Sequence, residues 1–313
     1  MPDHAVRALG IGGTDVAAIF GWDRYRDAHT VWAEKMGKQE RTPPSPRMKL
    51  GKYFERGIIE YYSAETGHPV KFLDITMQAP GREWMVYTPD AICLDEPRGI
   101  DAKLVQWDQR HLWGPTEYDI PIRVQTQCRW YMACADFPFW DVAAVLGDDL
   151  VVYTIERDVA LEAGIVEHIE EWYQRHIVGG EEPPMGPTEG SERFLKEHFP
   201  RNKLMIREAD EGEAALLDHY TDVREKDREL QSEKDALENQ IKFAIGHYDG
   251  LTWPRGKFTW KNTKDSQKVE WEALATSLMK RYEADDRQGL IQQFTTMKPG
   301  VRRMDFRPDK NRG

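Results

Sequence analysis

The chain is poor in cysteine, lacks paired histidine ligands and has no long apolar run. Its three cysteines, Cys93, Cys128 and Cys134, show no CxxC spacing. Neither a four-cysteine zinc site nor an iron–sulfur cluster can be assembled from them, and they read as buried reduced thiols. The nine histidines are scattered, without an HxH or HExxH pair, which argues against a histidine-based zinc site. No stretch of about 18 apolar residues is present, so no ordinary transmembrane helix is expected. Met1-Pro2-Asp3-His4 has neither the basic nor the apolar region of a signal peptide, and the expected location is cytoplasmic. Basic charge is not in excess either, since the net charge is −11. That argues against a passive nucleic-acid coat, but it leaves room for an enzyme with a basic channel on an acidic exterior.

The 313 residues and eleven tryptophans suffice for a core domain with an appendage. Residues 1–180 read as alternating helices and strands. Gly12-Gly13-Thr14-Asp15 precedes a short apolar helix for which Thr14 is the N-cap candidate. A helix over about 48–66 has Leu50, Phe54, Ile58, Tyr61 and Tyr62 at helical spacing, with Glu55 at the edge of that stripe. Strands follow at roughly 70–78, 84–88, 91–94 and 100–105, then a helix over 122–135. A strand pair over 140–147 and 151–156 precedes a helix over 159–178. Gly179-Gly180-Glu181-Glu182-Pro183-Pro184 reads as a linker. Residues 185–313 form a mainly helical extension. Its helix over 209–245 carries Leu216, Val223, Leu230, Leu237 and Ala244 every seven residues, beside a half-polar seam of Tyr220, Asp227, Lys234 and Ile241. A hairpin over 252–260 and a helix over about 268–284 lead to a basic tail containing Arg302, Arg303, Arg307 and Lys310.

The chemically informative stretch is Thr88-Pro89-Asp90 followed by Ile100-Asp101-Ala102-Lys103. Alternation along a strand puts Asp101 and Lys103 on one side. A turn at Pro97-Arg98-Gly99 folds Asp90 back opposite them. Two carboxylates on one patch repel unless a divalent cation holds them. A lysine beside them can stabilise a phosphate oxygen. With Glu55 from the preceding helix, the pattern is E…PD…DxK, the set of groups that phosphodiester hydrolysis requires.

These segments, together with Leu9-Gly10-Ile11-Gly12-Gly13-Thr14-Asp15, Leu50-Gly51-Lys52-Tyr53-Phe54-Glu55 and Gln125-Thr126-Gln127-Cys128-Arg129-Trp130-Tyr131, resemble the YqaJ-type viral recombinase family, which includes the phage lambda exonuclease. That family sits within the PD-(D/E)XK nuclease superfamily. The resemblance implies a restriction-endonuclease-like α/β core with a central mixed sheet flanked by helices. It implies divalent metal on Glu55, Asp90, Asp101 and the Ala102 carbonyl. An all-oxygen donor set suits Mg²⁺, two ions by the resemblance, with Mn²⁺ as a substitute. Lys103 would orient the attacking water or stabilise transition-state charge. Gln127 and Tyr131, four apart on one helix face, resemble the family's QxxxY feature beside the metal site. The family usually carries Glu where this chain has Asp101, a shorter arm with the same two oxygens.

The resemblance extends to Arg7, Thr14 and Thr88, which would hold a terminal 5′-phosphate. It also extends to Met48, at the place of an apolar wedge that parts the strands at a duplex end. Trp107, Trp113 and the loop from Trp22 to Tyr25 are either base-stacking groups or core and interface aromatics. The function implied is a 5′→3′ exonuclease on double-stranded DNA ends, which leaves 3′ tails for a single-strand annealing protein. The enzyme would be a homo-oligomer, a trimer by resemblance, acting without a membrane in a bacterial host and of phage or prophage origin. Two alternatives stand beside it: an endonuclease or repair nuclease of the same fold, and a non-catalytic DNA-end-binding recombination scaffold.

Overall fold

The computed structural model describes residues 10–73, 75–201, 205–262, 270–281 and 292. The chain divides into two compact units, Met1–Pro200 and Arg201–Gly313. In the first unit the elements run α1 (Gly13–Ile19), α2 (Ala28–Lys35), α3 (Pro46–Thr66), β1 (Val70–Phe72), β2 (Met77–Ala79), β3 (Arg82–Tyr87), β4 (Ala91–Cys93) and β5 (Arg98–Val105). A 3-10 turn (Trp107–Leu112), α4 (Ile122–Ala135), β6 (Phe139–Leu146), β7 (Asp149–Glu156), α5 (Val159–Trp172) with a π-helical turn to Val178, and α6 (Glu189–His198) complete it. The second unit contains α7 (Glu211–Ile245), the hairpin β8 (Gly250–Trp253) and β9 (Gly256–Thr259), and α8 (Trp271–Arg281).

The central sheet has the order β1-β4-β5-β6-β7. Only β5 and β6 run parallel, with Asp101 opposite Val142 and Lys103 opposite Ala144; the other pairs are antiparallel. Apolar side chains fill both faces. On one face α3 contributes Ile58, Ile59 and Tyr62 against Ala91, Cys93, Ile100 and Ala143. On the other, α1, α2, α4 and α5 pack Val16, Trp32, Trp130, Met132 and Ile169 around Trp140 and Val142. This is the mixed α/β sandwich expected from the sequence. The three cysteines are buried free thiols. Among the described residues no helix is long and apolar enough to cross a membrane.

Local rules set the element ends. Ser45 accepts from the Met48 amide at 3.2 Å, and Pro46 starts α3 where its missing N–H costs nothing. Gly67, at φ 79°, ends α3 in the left-handed region.

Four sequence expectations change. The strand expected over 70–78 is broken into β1 and β2, which lie in different sheets. The N-cap of α1 is Gly12, not Thr14; the Gly12 amide donates to Asp15 Oδ2 at 3.2 Å, so the acid takes the capping role. On α3 the expected stripe is buried only at Ile58 and Tyr62, joined by Ile59. Leu50, Phe54 and Tyr61 are exposed, because the sheet covers only the C-terminal half of this 21-residue helix.

The fourth change lies past the Gly179-Gly180 stretch, where the chain continues within the first unit. The buried Asp27 carboxylate accepts from Gly186 N at 3.0 Å and from the Thr188 and Ser191 hydroxyls, each at 2.7 Å. Phe194 of α6 is buried in the core. In the second unit, α7 exposes its heptad side chains, including Leu216, Leu230 and Leu237.

Candidate active site

The short β4 is antiparallel to β5, with Ala91 opposite Ile100. The Asp90 amide, one residue before β4, donates to Ile100 O at 3.2 Å. This register brings Asp90 alongside Asp101 and Ala102, and Asp90 Oδ2 accepts from the Ala102 amide at 2.8 Å. Asp101 is buried. Its Oδ1 accepts from Gln127 Nε2 at 3.0 Å, while Oδ2 is ion-paired with Lys103 Nζ and has no other hydrogen-bond donor. Lys103 Nζ also reaches Gln127 Oε1 at 3.5 Å.

Charge and burial interact strongly here. Burial, then the neighbouring charges of Asp101 and Glu55, push the Asp90 carboxyl up to about 8, against the opposing pull of Lys103 and the Ala102 amide. Burial works against the Lys103 charge, but Asp101 and Asp90 more than offset it and raise its pKa. The lysine is therefore a fixed cation at the floor of the site.

Gln127 lies on α4, and its amide spans three groups: it donates to Asp101 and, at 3.2 Å, to the Tyr131 hydroxyl, and accepts from Lys103. The Tyr131 ring sits deeper, buried against Trp140 at 5.2 Å, so it backs Gln127 rather than lining the floor. Gly13 permits this arrangement. A Cβ there would lie 2.9 Å from both Gln127 Cγ and Tyr131 Cε1, so α1 can approach α4 only with glycine at this position.

Glu55 comes from α3, with its Oε1 drawn to Lys52 Nζ at 2.7 Å. Among the described residues, the one trio of His, Cys, Asp or Glu whose donor atoms all lie within 4.8 Å of one another is His68, Cys93 and Asp95. Glu55, Asp90 and Asp101 are thus more widely spread than that trio. His68 and Asp95 are already satisfied by each other at 2.9 Å. The acidic cluster nonetheless fits a hard divalent cation. Its donors are all oxygen, one buried Asp101 oxygen has only the lysine for a partner, and the acids destabilise one another's charge at Asp90.

Arg7 lies outside the described residues. Thr14 is half-buried in the first turn of α1, and the Thr88 hydroxyl is 3.0 Å from that of Thr76. Met48 projects from the first turn of α3, 62 % exposed. Arg302, Arg303, Arg307 and Lys310 also lie outside the described residues.

Sequence reasoning passed over the buried ion cluster of Asp15, Arg26, Glu34 and Lys35. Arg26 Nη2 is 2.8 Å from Asp15 Oδ1 and 2.6 Å from Glu34 Oε2, and Lys35 Nζ is 3.1 Å from Asp15 Oδ2. Burial opposes the Asp15 charge, but Lys35 and Arg26 overcome it and hold its pKa well below the ordinary carboxylate range. The signal was present as a lone acid in the apolar run Asp15-Val16-Ala17-Ala18-Ile19.

A mixed sheet whose β4–β5 edge gathers two aspartates and a lysine, with an acidic residue supplied by a flanking helix, is the arrangement that the E…PD…DxK pattern predicts. Residues 4–138 match the model of the YqaJ-like viral recombinase domain. The chain is 24% identical over 244 residues to the uncharacterized protein YqaJ of Bacillus subtilis (strain 168), covering 75% of each. Among solved structures it resembles the alkaline exonuclease LHK-Exo of Laribacter hongkongensis, at 18% identity over 56% of this chain and 91% of that one, with a TM-score of 0.45. A phage-related exonuclease from Haemophilus somnus 129PT matches at 13% identity over 55% of this chain and 97% of that one, with a TM-score of 0.43.

Proposed function

We propose that this protein is a metal-dependent 5′→3′ exonuclease that acts on double-stranded DNA ends and leaves 3′ single-stranded tails for recombination by strand annealing. The observation that carries this reading is the convergence of Asp90, Asp101, Lys103 and Gln127 at the β4–β5 edge. The match of residues 4–138 to a viral recombinase domain model supports the recombination context.

In this reading Asp90, Asp101, the Ala102 carbonyl and Glu55 would hold two Mg²⁺ ions, with Mn²⁺ able to replace them. Bound there, the ions would polarise the phosphate and lower the pKa of the attacking water. Water adds to the phosphorus as the bond to the 3′ oxygen breaks, releasing a 5′-mononucleotide and leaving a new 5′-phosphate on the shortened strand. Lys103, held cationic by its two aspartates, sits where it can stabilise charge growing on the phosphate oxygens. Gln127 fixes one Asp101 oxygen and leaves the other facing the site, with Tyr131 steadying the amide from behind. Arg7, Thr14 and Thr88 would receive the terminal 5′-phosphate, and Met48 would part the strands at the duplex end. A homo-oligomer, trimeric by family resemblance, would hold the DNA between turnovers, and an annealing protein would load on the tail. Residues 201–313 would contribute DNA grip, assembly or partner docking.

The test is digestion of end-labelled linear duplex with Mg²⁺. Mononucleotide release that Asp90→Ala abolishes is the expected result; undiminished digestion by that variant overturns the reading. A covalently closed circle should survive, whereas a nuclease that needs no end would cut it. Duplexes with 5′-phosphate should be degraded faster than those with 5′-hydroxyl. Removal of the chain after Pro200 should lower processivity, oligomer size or partner binding.

A further inference from the structure

We propose that Trp107 and Arg110 form a binding site for unpaired nucleobases, on which the single strand produced at the acidic cluster stacks. The inference deepens the nuclease reading and rests on it for the identity of the ligand.

The segment concerned joins β5 to α4 and begins where the catalytic strand ends. Val105, the last residue of β5, is buried, and the chain then enters the 3-10 turn Trp107–Leu112. Trp107 lies four positions beyond Lys103, which limits their Cα atoms to about 14 Å. That is on the order of four stacked bases of one strand.

The two tryptophans of this segment have separate fates. Trp113 is partly buried against the core, with its ring 5.7 Å from that of Tyr153. Trp107 is 77 % exposed. An indole left in water this fully is an unfavourable placement for the largest apolar side chain. Elsewhere, the exposed Trp22 is covered on one side by Phe20, its ring 4.7 Å away and nearly parallel.

Trp107 is held in place although it is exposed. Arg47, in the first turn of α3, donates to Gln109 Oε1 at 2.6 Å, and the Gln109 amide donates to Gln106 O at 3.0 Å. The β6–β7 turn closes on the indole from another side. Gly147 there has φ 74°, and a Cβ built on it would lie 3.5 and 3.7 Å from Trp107 ring carbons and 3.6 Å from Arg110 Nη1. Arg110 lies with its guanidinium carbon 5.6 Å from the indole centroid and Nη2 3.6 Å from Asp149 Oδ2. The outcome is a rigid aromatic surface with a cation at its edge, fixed by two neighbouring elements. Aromatic faces take any base, and an adjacent arginine takes the phosphate between bases. The turn of α3 that anchors this segment also carries the exposed Met48.

The experiment uses the full chain and a fluorescent duplex with a 3′ overhang, in EDTA so that nothing is digested, at one fixed salt concentration. Trp107→Ala should weaken binding of the overhang duplex by about 5- to 150-fold, the range for losing one base stack. Trp107→Phe should recover most of it, and a blunt duplex should be little affected. Single 5-iododeoxyuridines placed along the overhang should photocrosslink to the peptide containing Trp107 at only a few adjacent positions. Equal affinity of wild type and Trp107→Ala, with no crosslink to that peptide, overturns the proposal. So does a Trp107→Ala protein of altered oligomeric mass, which would make this surface a subunit contact. If Trp107-dependent binding is found but wild type releases no mononucleotide with Mg²⁺, the nuclease reading fails and the base site stands.

Discussion

Gln127 and Asp101 are joined by a 3.0 Å hydrogen bond from Nε2 to Oδ1, which ties the helix α4 to the acidic strand β5. One Asp101 oxygen is thereby committed to the protein and the other left to Lys103 and the site. Orientation of a ligating carboxylate by an outer partner is commonly worth 10–100-fold in metal affinity or activity.

Gln127→Ala should therefore lower nuclease turnover by about 10–100-fold with little change in DNA affinity. Steady-state kinetics with a matched binding assay separates the two. Gln127→Glu adds a fourth acid beside Asp101 and should be worse at low Mg²⁺, with partial recovery as the ion concentration rises.

Lys103→Met removes the cation while keeping most of the side-chain volume. Turnover should fall by about 10²–10³-fold, as for loss of one preorganised group stabilising transition-state charge. Single-turnover measurements at saturating DNA check this.

Divalent ions should stabilise the folded protein. At 100 times its dissociation constant a bound ion contributes about 2.7 kcal/mol, visible as a rise in melting temperature with Mg²⁺. Asp101→Asn should abolish the rise, and Ca²⁺ should give a rise without turnover. A wild-type melting temperature that is flat across the titration would count against the cation site.

Asp15→Asn leaves Arg26 and Lys35 beside a neutral group inside the fold. Removing one partner of a buried ion cluster typically costs about 3–5 kcal/mol, measurable by urea denaturation. The pH dependence follows from the sign of the shift. Asp15 is held ionised in the fold well below its value in the unfolded chain, so its contribution is complete above about pH 4. Below that the unfolded chain takes up the proton first, and the contribution is lost as pH falls. The stability gap between wild type and Asp15→Asn should be constant from neutral pH to about 5 and close below about 4.

Gly13→Ala should destabilise the protein by roughly 1–3 kcal/mol through overpacking. It should also reduce activity, because the added carbon meets Gln127 and Tyr131.

The sequence alone determined most of the helices and strands from Pro46 to Val178, the presence of a mixed α/β core and the meeting of Asp90 with the Asp101–Lys103 segment; the helices Ala28–Lys35 and Glu189–His198 were not legible in it. All three depend on short-range regularities: apolar spacing of helical or strand period, turn residues, and two-residue alternation. Helix α4 was legible to the residue for the same reason. Tertiary structure decided what local pattern cannot encode. The stripe on α3 was read correctly as a helix, but whether Leu50 or Ile59 is buried depends on how far the sheet extends beneath it. Tyr131 has the helical spacing of a site residue, yet the close approach of α1 and the position of Trp140 place its ring in the core. Asp27 holds residues beyond 180 in the first unit through partners about 160 positions away. Trp107 and Trp113 are alike as sequence, and only tertiary packing puts Trp113 against the core beside Tyr153 while Trp107 stays exposed next to the β6–β7 turn.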